Sequence, residues 1–208
     1  MNIQAIDVYI DGCLLNSREY ATPRTVGCLR CCAHRGITIY VATARPRRLV
    51  FRQGEVQGDV SFLTERGVFY NGASAYDDTL GVNMHWPMPG SLTSELVSVI
   101  ESLGPELQIA LQSEERHHSF RKPIADADLL RWGFERRELV PFTEAKTWDC
   151  SKIVAFGEGS FAGMAYHDIV GTFAGRVSAF RSDSGSWLQV MGADARKELG
   201  MTHLLCKR

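Results

Sequence analysis

The residues best placed to do chemistry lie in the first stretch of the chain, Ala5-Ile6-Asp7-Val8-Tyr9-Ile10-Asp11-Gly12-Cys13-Leu14-Leu15-Asn16-Ser17. An apolar run that breaks at Asp-Gly presents a carboxylate at the carboxyl end of a strand, which is where open α/β sheets bind ligands. A carboxylate so placed can move a proton to or from a bound molecule. It can equally serve as a turn residue bonding its own backbone. Strand side chains alternate faces, so Asp7, Tyr9 and Asp11 share one side, and Asp7 lies roughly 7 Å below Tyr9 at about 3.3 Å per residue. A group displaced that far along the strand cannot take Tyr9's place in an in-line reaction.

These residues need a scaffold, and the sequence predicts one. A strand over about Ile3 to Ile10 leads to a helix from Pro23 to Arg35, with apolar positions at Val26, Leu29 and Ala33, and Gly36 stops it. A second strand, Ile37 to Ala42, follows. Near-continuous apolar runs in both strands argue for a parallel sheet. A second helix is expected to carry Leu49 and Val50, and Val68-Phe69-Tyr70 supplies a third strand before the turn Asn71-Gly72-Ala73. From about Asp77 the pattern changes. Helical stretches are predicted at Leu92 to Leu103, Ala125 to Trp132 and between Phe161 and Phe173, and strands at 108–112, 152–156 and 177–180.

The first stretch, Thr43-Ala44-Arg45-Pro46, the Asn71-Gly72-Ala73 turn and the segment ending in Lys197 together resemble the haloacid dehalogenase (HAD) superfamily, specifically its Cof-type sugar-phosphatase branch. The resemblance implies an α/β fold: a Rossmann-like core with a parallel sheet (residues 1–76 and 187–208) and an inserted α+β cap (residues 77–186). It also implies Mg²⁺-dependent hydrolysis of phosphomonoesters of sugars or other small molecules. In that family the first strand ends in Asp-x-Asp-Gly-Thr-Leu-Leu, the first Asp attacking phosphorus and the second acting as general acid and base. Aligned on Asp-Gly and the leucine pair, Tyr9 takes the nucleophile position, Asp11 the acid/base position and Cys13 the threonine position. Phenols ordinarily ionise near pH ~10, so tyrosine is a poor stand-in for a carboxylate nucleophile. Reading Asp11 as the nucleophile and Cys13 as the acid requires a two-residue shift against Gly12 and the leucines.

By the same resemblance Thr43 would hold a phosphate oxygen together with backbone N–H groups at a helix start, although a threonine there can also be a plain N-cap. Arg45 and Asn71 would be further substrate contacts, with Ala44 replacing the usual glycine and with Arg47 and Arg48 adding positive charge. Lys197 would neutralise the transferring phosphoryl group; a surface helix lysine is the bland alternative. The backbone carbonyl of Asp11 would be a metal ligand. The family's Gly-Asp-x-x-Asn-Asp motif, which completes the Mg²⁺ site, has no counterpart before Arg208. Loss of the nucleophile and of metal ligands predicts weak or absent Mg²⁺ binding and an impaired or inactive enzyme. The non-catalytic alternative is a phospho-ligand-binding or interaction protein, a homo-oligomer among the options, that assembles through an exposed edge of the first strand.

The 208 residues, 45% hydrophobic and 23% charged with a formal net charge of -1, describe an ordinary globular chain with no polybasic signature for nucleic acid or anionic membrane. The start of the sequence lacks the pattern of a secretory signal. The six cysteines fit a reducing compartment, so a cytoplasmic location is expected. Cys28, Cys31 and Cys32 sit in the first predicted helix and are expected to pack there rather than bind metal, and His117-His118 reads as a solvated strand in the cap.

Overall fold

The computed structural model describes residues 3–51, 55–57, 60–114, 117–158, 161–182 and 185–207. They form two compact units, Met1–His85 with Arg196–Arg208, and Trp86–Ala195.

The first unit is built on a five-stranded sheet in the order β1-β2-β3-β4-β5, where β1 is Ala5–Tyr9, β2 Thr38–Ala42, β3 Arg66–Phe69, β4 Ser74–Asp77 and β5 Val82–His85. β1, β2 and β3 run parallel, with Tyr9 opposite Ala42 and Ala42 opposite Val68, so their carboxyl ends are level. β4 and β5 continue the sheet antiparallel. Every residue of β2 is buried, as a central parallel strand requires. The crossover helix α1, Pro23–His34, starts with Thr22, whose hydroxyl accepts from the Thr25 N–H at 3.1 Å. It buries only Val26, and Cys28 and Cys31 are exposed, so the expected packing of the cysteines is corrected for these two. On the other side α6, Lys197–Cys206, lies against β3 and β4 and turns Met201 and Leu204 inward.

The second unit is a five-stranded antiparallel sheet in the order β7-β6-β8-β10-β9: β6 is Gln108–Ser113, β7 His117–Phe120, β8 Lys152–Phe156, β9 Val177–Arg181 and β10 Trp187–Gly192. Two helices cover one face, α2 (Gly90–Leu103) and α5 (Phe161–Thr172). Leu92, Leu96, Val97 and Ile100 recur at helical spacing along α2 and meet Ile109, Leu111, Ile153, Ala155, Leu188 and Val190 from alternate strand positions. Between β7 and β8 run two short helices, α3 (Asp126–Arg131) and α4 (Phe142–Ala145). On the sheet face away from α2 and α5, Phe156 and Trp187 stack at 4.7 Å, and Trp132 joins Trp187 at 5.6 Å.

Three expectations are corrected here. The segment at Trp187–Met191 does not return to the first unit: β10 is hydrogen-bonded between β8 and β9, because Leu188 and Val190 alternate into the second core. The first unit instead resumes at Arg196, and it extends to His85 because the β4–β5 hairpin prolongs its sheet. The second helix expected around Leu49 and Val50 is a single tight turn, Arg47–Leu49. His118 is not solvated; it is 1% exposed and its ring stacks on Phe134. The side chain of His117 lies outside the described residues.

Candidate active site

At the carboxyl ends of β1, β2 and β3 three loops are stitched together by hydrogen bonds. After β1 the chain turns through Asp11 (φ -76°, ψ 130°) and Gly12 (φ 79°, ψ -7°), and the Leu15 N–H closes the turn on the Ile10 carbonyl at 2.9 Å. This is type II geometry, whose second central residue needs positive φ and so favours Gly12. After β2, the Thr43 carbonyl accepts from the Asn71 N–H at 3.0 Å and the Arg45 carbonyl from the Tyr70 N–H at 3.2 Å. After β3, Tyr70 and Asn71 both adopt left-handed conformations (φ 51° and 58°). Asparagine tolerates that region, but the bulky Tyr70 is held there against its own preference by the surrounding structure. Next comes Gly72, where a Cβ would stand 2.3 Å from the Arg196 carbonyl carbon, so a bare backbone is what lets the start of α6 approach. That approach delivers Lys197.

Thr43 is 2% exposed, and its hydroxyl accepts the Arg45 N–H at 3.1 Å. It fastens its own loop and does not cap a helix, since Pro46 precedes the short turn that follows. Arg45 is 9% exposed. Its Nε donates to Asp11 Oδ2 (3.2 Å) and its Nη2 to Asp11 Oδ1 (2.5 Å) and Glu55 Oε1 (3.1 Å). Nη1 donates to Glu55 Oε2 (2.5 Å) and to the Val50 carbonyl (3.1 Å). A guanidinium has five N–H donors, and all five are used. Burial works against the Arg45 charge, but the bonds to Glu55 and Asp11 outweigh it and hold the guanidinium protonated more firmly than usual. An Arg45 in this state has no donor left for a phosphate oxygen, which runs counter to the expected substrate contact. Asn71 is 7% exposed and joins the loop through its backbone.

Tyr9 and Lys197 form the other half. Tyr9 closes β1, 43% exposed, and the Lys197 ammonium lies over its ring, 4.8 Å from the centroid. Desolvation lowers the Lys197 pKa, opposed by Asp11, Asp7 and Glu198. Desolvation likewise raises that of Asp7, opposed by Lys197 and by the Val8 N–H. Each of these two charges thus offsets part of the other's burial. The structure brings Asp11, Thr43, Arg45 and Asn71 into one bonded network and sets Lys197 on Tyr9, within electrostatic reach of Asp11.

The Mg²⁺ that the resemblance implies does not fit these residues. Both Asp11 oxygens are engaged by Arg45, Tyr9 offers an aromatic face occupied by Lys197, and a divalent ion at Asp11 would face the positive charges of Arg45 and Lys197. Among the described residues, no three His, Cys, Asp or Glu side chains are grouped to hold a metal ion. Glu55 is the member of this network that sequence reasoning misses. It sits in a segment without periodicity or motif; a buried arginine calls for carboxylate partners, but nothing in the sequence points to this one.

No curated protein matches the chain in sequence. Among solved structures it is similar to a HAD subclass IIB sugar phosphatase (TM-score 0.76, 16% identity, 98% of this chain and 75% of that one). It is also similar to a HAD/COF-like hydrolase from Plasmodium vivax (TM-score 0.77, 17% identity, 98% and 73%) and to a haloacid dehalogenase-like hydrolase from Bacteroides thetaiotaomicron (TM-score 0.75, 16% identity, 98% and 76%). At these identities the likeness establishes the fold, a Rossmann-like α/β core. Residues 5–208 match the family of haloacid dehalogenase-like hydrolases, and the chain belongs to it.

Proposed function

We propose that this HAD-like hydrolase derives from a Mg²⁺-dependent sugar phosphatase and recognises a small phosphorylated molecule, with aspartyl-phosphate turnover impaired or absent. The observation that carries this reading is Tyr9 at the end of β1, beneath the Lys197 ammonium, where the family's pattern has its nucleophilic carboxylate. Phosphoryl transfer depends on positioning and charge neutralisation, so loss of the attacking group and of the metal costs many orders of magnitude in rate. Lys197 is the cation that supports ligand recognition, because the donors of Arg45 are spent on Asp11, Glu55 and Val50.

The test is hydrolysis of a sugar-phosphate panel and p-nitrophenyl phosphate with Mg²⁺, comparing wild type, Tyr9→Asp and Asp11→Asn. Wild type is expected to be silent; turnover that Asp11→Asn abolishes would make Asp11 the working group and overturn the reading. In parallel, millimolar sugar phosphate should raise the thermal midpoint of wild type and raise that of Lys197→Met less. Indifference of wild type to every phosphate removes the ligand-binding half.

One observation favours a second reading as an interaction protein: β1 is an outer strand of its sheet, paired with β2 on one side, and Ile3 beside it is 60% exposed. Outer strands are templates for another polypeptide. A monomer at every concentration tested by light scattering rules out self-assembly through that edge.

A further inference from the structure

We propose that Arg45 is the resident cation of this site, seated between Asp11 and Glu55 in a place that becomes a divalent-cation site only when the guanidinium is removed. Three observations combine. Asp11 and Glu55 both accept from the same nitrogen, Nη2, at 2.5 and 3.1 Å, so two carboxylates converge on one positive centre. That centre is 9% exposed, and its remaining donors go to Glu55 Oε2, Asp11 Oδ2 and the Val50 carbonyl, an all-oxygen surrounding of the kind hard cations take. Each carboxylate is held from its own side: Asp11 by the closed turn after β1, and Glu55 through its backbone carbonyl, which accepts from the Ala21 N–H at 2.7 Å. The backbones that carry both carboxylates are therefore placed by the fold independently of the arginine.

The charge balance gives the direction. With Arg45 present the three side chains carry one net negative charge, and every guanidinium donor is satisfied. Replacing Arg45 with glutamine leaves two carboxylates facing a space with no cation, in which like charges repel and burial disfavours the charge on Glu55, while Asp11 stays in contact with water. A divalent ion relieves both costs. Asp11, released from Arg45, would regain the freedom to accept or donate a proton at its carboxylate.

The measurement is thermal unfolding of the full chain in EDTA and in 10 mM MgCl₂, with Mn²⁺ relaxation as a direct count of bound ion. Wild type should show the same midpoint in both buffers and leave Mn²⁺ free. Arg45→Gln should have a lower midpoint in EDTA and recover about 3–6 °C of it in Mg²⁺, the shift expected for a millimolar site in a chain of this size. Arg45→Gln/Glu55→Gln should lose that recovery. Wild type binding Mn²⁺ at millimolar affinity overturns the proposal, as does a folded Arg45→Gln indifferent to Mg²⁺. If Arg45→Gln does not fold in either buffer, Arg45→Lys takes its place: one ammonium cannot span both carboxylates as the fork does, so partial Mg²⁺ recovery is expected and its absence counts against the seat. None of these readouts involves phosphate hydrolysis, so failure of the proposed function leaves this result standing, and the reverse.

Discussion

The two units each contain an arginine held by carboxylates in forked geometry, and they place it in opposite surroundings. In the first, Arg45 is 9% exposed and spends its donors on Asp11, Glu55 and a carbonyl. In the second, Arg176 grips Glu95 through two bonds of 2.9 and 3.1 Å while both side chains stay about half exposed. A hydrogen-bond diagram makes the pairs look alike; solvent makes them different. Water already satisfies the separated partners of the exposed pair, so joining them gains little. Glu55, 6% exposed at its side chain, lacks that refuge, whereas Asp11 at 57% keeps it, so the buried half of the network depends on the guanidinium. The second unit can afford a decorative pair because its stability comes from the apolar layer between α2, α5 and the sheet.

The largest effect expected from this contrast is at Arg45. Arg45→Met should cost about 3–5 kcal/mol in urea unfolding, since it strands Glu55 and part of Asp11 without a counter-charge. Adding Glu55→Leu should recover much of the loss, because an apolar pair of similar volume substitutes tolerably for a buried ion pair. A loss under about 1 kcal/mol for Arg45→Met would place Arg45 in the same class as Arg176 and erase the contrast.

A second, smaller effect sharpens the same point through pH. Burial pushes the Asp77 carboxyl up, but the Thr79 and Tyr40 hydroxyls, the Leu80 N–H and Arg66 together pull it below the ordinary aspartate value. A carboxylate whose pKa is depressed in the folded state stabilises that state above the unfolded pKa, and the contribution is lost as pH falls through the folded one. The stability of wild type should therefore decline between about pH 5 and pH 2 more steeply than that of Asp77→Asn, which has no such proton to gain. Equal slopes would show that Asp77 contributes nothing to the pH dependence.

How much of this was written in the sequence differs between scaffold and site. The strand-helix-strand start was legible because β1, β2 and α1 have the plain signatures of their types, including Thr22-Pro23 at the head of α1 and Gly36 after it. The cap elements were legible where apolar spacing is regular, as in α2 and β8. The sequence alone places β10 in the first unit, because Leu188, Val190 and Met191 are apolar in any sheet, and alternation reports a buried face without reporting whose. Motif spacing singles out Asp11, Thr43, Asn71 and Lys197, and the fold gathers them at the carboxyl ends of β1, β2 and β3. What their side chains do there was not legible. Arg45 reads as a free cation in the sequence, and only three-dimensional proximity to Glu55 shows it spent. The left-handed Tyr70 could not be foreseen either, since a bulky aromatic argues against the conformation that the tie between Tyr70 N–H and Arg45 carbonyl imposes.

The smallest effect is the one that tests the contrast from the other side, and the choice of substitution matters. Arg176 lies 5.5 Å from the Phe173 ring centroid, so truncating it would remove a stacking contact together with the ion pair. Glu95→Gln removes only the charge: the amide oxygen still accepts from the guanidinium, and Arg176 keeps its place over Phe173. The hydrogen bonds from Arg176 hold the Glu95 carboxyl below its ordinary value, yet both groups are surrounded by water, which screens them. Glu95→Gln should leave the thermal midpoint where it is, at low salt and at high salt alike. A clear loss at low salt that high salt abolishes would mean that this exposed fork does hold the second unit together, and that exposure alone does not separate it from Arg45.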